Sequence, residues 1–146
     1  ITGNNAENGG GISVGYPSKG TISDNIITGN IASNNGGGIR IIDSGPSVKN
    51  NTIKNNVAGY QGGGIYLDGI YWHQDSIYPV ITSNTIANNA AENLGGGLCY
   101  NTGGSGSPII GGKDDGDVDD FNTICGNSPD QIEPLYQNNF ISSVCD

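Results

Sequence analysis

The chain has no methionine, one tryptophan, one histidine, three cysteines and only five lysines and arginines among its 146 residues. Each shortage excludes something. Five basic residues against fourteen acidic ones leave a net charge of −9. Phosphate backbones are bound by clustered cations, so nucleic acid is not an expected partner. The lone histidine, His73, has no second imidazole to share a metal with, and reads as a surface residue before it reads as a ligand. No apolar run approaches the length of a membrane-spanning helix, and no signal peptide is visible. The absence even of an initiator methionine points to a processed or truncated product whose natural N-terminus lies upstream. The length suits a single domain.

What the chain has in excess is glycine, 26 residues, and the glycines are periodic. Asn4–Ile12 (NNAENGGGI), Asn30–Ile39 (NIASNNGGGI), Asn56–Ile65 (NVAGYQGGGI) and Asn89–Leu98 (NAAENLGGGL) are four copies of one motif. Asn127 begins a fifth that breaks off at Pro129. The first glycines of the triplets, Gly9, Gly36, Gly62 and Gly95, are spaced by 27, 26 and 33 residues. A fixed period in the twenties with one insertion is the mark of a solenoid. With Asn4, Asn30, Asn56, Asn89 and Asn127 in register, an isoleucine lies three residues before each: Ile1, Ile27, Ile53, Ile86 and Ile124. A second asparagine column, Asn25, Asn51, Asn84 and Asn122, lies five residues before. After the glycines come alternating apolar pairs, Ile12/Val14, Ile39/Ile41, Ile65/Leu67 and Leu98/Tyr100, and Ile22, Val48, Ile81 and Ile110 form a further apolar column.

Each repeat thus holds three short segments of period two, separated by Gly, Asn, Ser or Pro, with no sustained helical period. Segments this short bury nothing alone, but stacked copies pack like on like. The expectation is an all-β fold, a parallel β-helix of three sheets with one coil per period. About five coils lie roughly 4.8 Å apart. Residues 1–127 form the coils and 128–146 a C-terminal cap. In the cap, Ser128-Pro129-Asp130 suits the start of a short helical turn, and Asn139-Phe140-Ile141 a last, degenerate strand. The asparagines are expected to be structural. They tolerate left-handed turns, and their amides can bond coil to coil as a ladder.

These repeats resemble the right-handed parallel β-helix repeat proteins of the broad pectate-lyase-like superfamily. The text of Ile27–Ile39 is also similar to the GGA-I and F-x-x-N repeats of chlamydial polymorphic outer membrane proteins, with GGG-I and I-x-x-N in their place. The tail from Asn122 looks like the end of bacterial and archaeal surface β-helix proteins. The resemblance implies right-handedness, in keeping with the usual crossover rule. It does not by itself choose a function, because this scaffold hosts lyases, hydrolases, adhesins and stalks.

Candidate sites are few. The insertion at 68–78 carries Tyr71, Trp72 and His73. Lateral loops of solenoids often carry the binding face, and such rings suit a sugar or a protein contact; a satellite core folded on the sheet is the plain alternative. Asp115, Asp117 and Asp119 alternate like the first ligands of a calcium loop, without its glycine or closing glutamate, and a solvated acidic turn explains them equally. No other cofactor is expected. Cys125 and Cys145 flank the tail and suit a disulfide in an oxidising, extracellular setting, leaving Cys99 over. Asn50-Asn51-Thr52 is a glycosylation sequon. Arg40 lies on an outward column with Ser13, Tyr66 and Cys99. It reads as a solvated charge before a lyase-type base. Asp43 and Asp68 are the one acidic pair assignable to adjacent coils, and no nucleophile–base pair or metal cluster is evident. No catalytic residue is assigned. The function expected is a noncatalytic extracellular or cell-surface module, structural or adhesive. It could associate with itself through an uncapped N-terminal coil that stacks head to tail into a filament, or hold a surface glycan. The alternative is the C-terminal fragment of a polysaccharide lyase or glycosidase.

Overall fold

The computed structural model describes residues 1–69, 78–101, 108–111, 121–133 and the strand at 141–142. The described residues contain strands and turns and no helix. The first coil holds β1 (Asn5–Ala6), β2 (Ile12–Val14), β3 (Thr21–Ser23) and β4 (Ile26–Thr28). The second holds β5 (Ile31–Ala32), β6 (Ile39–Ile42), β7 (Ser47–Lys49) and β8 (Thr52–Lys54). The third holds β9 (Val57–Ala58), β10 (Ile65–Asp68), β11 (Val80–Thr82) and β12 (Thr85–Ala87). The fourth holds β13 (Ala90–Ala91), β14 (Leu98–Tyr100), β15 (Ile109–Ile110) and β16 (Asn122–Cys125), and β17 (Ile132–Glu133) and β18 (Ile141–Ser142) follow. Every strand pairs in parallel with its counterpart one coil away. The sheets run β1-β5-β9-β13, β2-β6-β10-β14-β17, β3-β7-β11-β15 and β4-β8-β12-β16-β18.

Four sheets, not the three expected, follow from the short strands after the ladder asparagines. Two residues are too few to show an alternation, so their alanine column reads as a turn in the sequence. In the fold Ala32 and Ala58 face the core. The core itself is a set of stacked columns. Ile27, Ile53, Ile86 and Ile124 lie in register, as do Ile12, Ile39, Ile65, Leu98 and Ile132. Val14, Ile41, Leu67 and Tyr100 form the next column, and Ile22, Val48, Ile81 and Ile110 the last. Ile27, Ile53, Ile65 and Ile86 are fully buried, worth about 1.5–3 kcal/mol each against exposure. β-branched residues dominate because they suit the pleat and pack against themselves one strand away.

The corners correct a second expectation. The left-handed backbone falls not on the ladder asparagines but on the residue before them. Asn50, Asn55 and Asn88 have φ of 56°, 55° and 55°, and Asp24 and Ser83 share the first of these corners at 59° and 56°. The division follows from the work each residue does. The corner residue turns the chain and points out, and the next residue aims its amide along the axis.

The C-terminal segment corrects a third. The four residues between Asn127 and Ile132 do not start a helical turn. Ser128 bridges to Ala90, its N–H donates to Asn89 O (3.0 Å) and its O accepts from Ala91 N–H (2.9 Å). A segment bonded at both ends to the coil beneath has no residues to spare for a helix, and the fifth copy continues past Pro129 into β17.

Candidate functional site

The four-residue strands β6 and β10 belong to the sheet β2-β6-β10-β14-β17. Its outward side carries one column of mixed chemistry, Ser13, Arg40, Tyr66, Cys99 and Glu133. At one strand spacing per step, Arg40 and Glu133 stand roughly 14 Å apart along the axis. Beside this column, Asp68 stands in register with Ile42. Tyr66 Oη donates to Asp68 Oδ2 at 3.4 Å, and Gly69 N–H donates to Asp68 Oδ1 at 2.7 Å.

Although they point outward, Tyr66 and Cys99 are only 6% and 4% exposed. Burial, then the neighbouring Asp68 and Cys99, push the Tyr66 phenol up to about 12, with Arg40 opposing. Burial, then Glu133 and Asp68, push the Cys99 thiol up to about 12. Both groups therefore hold their protons at neutral pH, the opposite of what an activated nucleophile needs. The Nε of Arg40 is buried without a hydrogen-bond partner among the described residues.

Asp43 and Asp68 do lie on adjacent coils, but one residue out of register. Asp68 is in β10 opposite Ile42. Asp43 occupies the following corner with φ 48°, and its carboxylate packs against Gly69. Its N–H donates to Asp68 O (3.0 Å).

Between the sheets run two asparagine ladders. Asn4, Asn30, Asn56 and Asn89 each donate from N–H and from Nδ2 to the Oδ1 of the asparagine one coil later, at 2.8–3.1 Å. Asn25, Asn51 and Asn84 do the same toward Asn51, Asn84 and Asn122 at 2.9–3.1 Å. From Asn30 and Asn51 onward the other Nδ2 hydrogen goes to a carbonyl one coil earlier, as from Asn56 to Ile27 O (3.0 Å) and from Asn84 to Val48 O (2.8 Å). The first ladder ends within its own coil. Gln131 Oε1 accepts from Asn127 N–H (3.1 Å) and Nδ2 (3.0 Å), and Gln131 Nε2 donates to Asn127 O (3.0 Å).

Glu133 and Gln131 are the site residues that sequence reasoning missed. Gln131-Ile132-Glu133 sits in register with Gly97-Leu98-Cys99, but four fewer residues separate Ile132 from its asparagine than separate Ile39 from Asn30. The surviving signal is an isoleucine followed by an outward charge.

Tyr71, Trp72 and His73 lie outside the described residues, as do Asp115, Asp117 and Asp119, and Cys145. Cys125 is disulfide-bonded and Cys99 is free and buried. Among the described residues no group of three or more His, Cys, Asp or Glu is placed to hold a metal. No helix among them is long and apolar enough to cross a membrane.

Parallel strands stacked coil upon coil, with a core of like-on-like columns, define a parallel β-solenoid. The family model described as "Right handed beta helix region" matches residues 1–117, and the chain belongs to that family. Neither curated proteins nor solved structures give a significant match.

Proposed function

We propose that this chain is a noncatalytic extracellular β-solenoid, a rigid structural or adhesive surface module that works through its lateral faces. The observation that carries the reading is where the polar side chains go. Among the described residues, apart from Ser44, the buried polar side chains are the ladder asparagines Asn30, Asn51, Asn56, Asn84, Asn89, Asn122 and Asn127, and the ladders use their amides to hold coil to coil. On the mixed outward column, the Tyr66 phenol and the Cys99 thiol are hidden and protonated, while Ser13 is exposed. The disulfide at Cys125 suits an oxidising compartment outside the cell.

The test is turnover and binding on the same preparation. The purified chain is expected to release neither unsaturated nor reducing ends from acidic polysaccharides. Release that disappears in Asp68→Asn would overturn the reading in favour of a carbohydrate-active enzyme.

A second reading, a glycan-binding module, is favoured by Arg40, whose Nε lacks an acceptor among the described residues beside an aromatic ring and a carboxylate. It expects glycan-array binding that Arg40→Ala removes. Binding unchanged in that variant but lost in Trp72→Ala would move the contact to the insertion.

A further inference from the structure

The third glycine of each triplet explains what Gln131 does. A Cβ on Gly11, Gly38, Gly64 or Gly97 would come within 2.8–3.1 Å of the Nδ2 of the ladder asparagine one coil later: Asn30, Asn56, Asn89 and Asn127 respectively. The glycine is bare because the next coil crowds it twice, with a backbone oxygen nearest of all and the asparagine amide close behind. Gln131 stands in register with Gly97, as the β14–β17 pairing and the Gln131 O to Leu98 N–H bond (3.0 Å) fix. It occupies the third-glycine place of the last described coil and carries there the side chain that every other coil forbids. Its amide takes the two bonds that the next asparagine's Oδ1 takes in the coils below. Gln131 is itself exposed and is the outermost described layer of this ladder.

We infer that Gln131 terminates the ladder, closing this end of the solenoid against a second copy of the chain. The ladder runs one way, each coil donating to the one after it. A second copy stacked head to tail would have to offer a ladder asparagine's Oδ1 to Asn127, and that place is already taken by Gln131 Oε1. The stop is both chemical and steric. Asn127 has no donor left pointing along the axis, and the volume that an incoming amide needs is full. Axial growth of the kind the open repeat pattern suggests is therefore blocked by one residue, and lateral faces remain for partners.

Size-exclusion chromatography with light scattering tests this on residues 1–146 and three variants. The wild type is expected to keep the mass of one chain at every accessible concentration. Gln131→Gly, which restores the triplet's third glycine, leaves the Asn127 donors free beneath an open slot, and its mass is expected to rise with concentration. Gln131→Leu fills the slot without offering an acceptor. It is expected to melt earlier than the wild type yet remain a single chain. Gln131→Ala empties the slot with less backbone freedom and takes the same test where the glycine variant does not fold. Rods or oligomers of the wild type would overturn the inference. So would slot-opening variants that fold and stay single chains, or association of the leucine variant equal to theirs, since loosening alone would then explain it.

Discussion

Asn56 shows what a single residue carries in this molecule. Its side-chain amide uses both hydrogens and both lone pairs, donating to Asn89 Oδ1 and Ile27 O and accepting twice from Asn30. It is fully buried, where an unmet polar group costs about 1–3 kcal/mol. Asn56→Ala strands two donors of Asn30 and is expected to cost upwards of about 3 kcal/mol by that measure. Asn4→Ala, at an exposed ladder place with donors only, is expected to cost about 1 kcal/mol. Urea unfolding compares them directly, and equal midpoints for the two variants would show that the ladder adds nothing to stability. Spacing alone places asparagine over asparagine. It does not say which amide donates, because direction is a property of the rotamer and the next coil's carbonyl. The left-handed corners were misplaced by one residue for the same reason. Asn50 and Asn51 are the same residue type, and only the backbone tells turn from rung.

At the scale of the element, the strand columns were legible in the sequence because identical side chains recur at fixed register. The two-residue strands β1, β5, β9 and β13 were not, since no period can be read from two positions. The glycine triplets were visible as a signature but not as a mechanism. Each glycine of a triplet meets a different neighbour. Gly36 takes a positive φ of 71°. Gly37 lies under the backbone oxygens of Gly63 and Val57, and Gly38 lies under Gly64 O and Asn56 Nδ2. Gly38→Ala places a Cβ at 2.5 Å from the Gly64 oxygen. It is expected to cost about 1–3 kcal/mol through forced separation of two coils. Gly20→Ala, with nothing within 4 Å of its Cβ, is expected to be neutral. A thermal melt that lowers both variants alike would mean that close coil approach is not what the triplet protects. The insertion and the acidic run interrupt the repeat in the sequence and lie outside the described residues, and the repeat spacing gives no register for them.

The described strands form a stack in which each coil pairs with its neighbours, so stability is close to a sum of coil interfaces. The outward column that holds Tyr66 and Cys99 adds a pH dependence to that sum. Tyr66 rises from 10.0 to about 12 and Cys99 from 9.0 to about 12, both first through burial. A group whose folded value is raised holds its proton longer in the folded state than in the unfolded chain. Its contribution is complete below the unfolded value and is lost as pH climbs through the folded one. Stability is therefore expected to be flat through neutral pH, to fall above pH 9 as unfolded Cys99 ionises, and to fall more steeply above pH 10. The double variant Tyr66→Phe, Cys99→Ala is expected to flatten that limb when denaturation midpoints are followed between pH 8 and 11, a range set by the same two shifts. A limb unchanged by both substitutions would assign the alkaline loss elsewhere.

The one-way ladders also give the molecule an electrical direction. Backbone hydrogen bonds between coils point both up and down the stack, as from Ile31 N–H to Asn4 O and from Gly9 N–H to Asn35 O, and sheets carry little net dipole. The side-chain amides do not cancel. In both ladders the oxygen faces the earlier coil and the N–H that bonds to the next rung faces the later one. Their moments add along the axis much as peptide moments do in a helix. The β1 end is thereby the negative pole and the Gln131 end the positive one, without any ionised group taking part. Near a charged surface such a stack has a preferred end, and salt that screens its net charge of −9 leaves that buried moment in place.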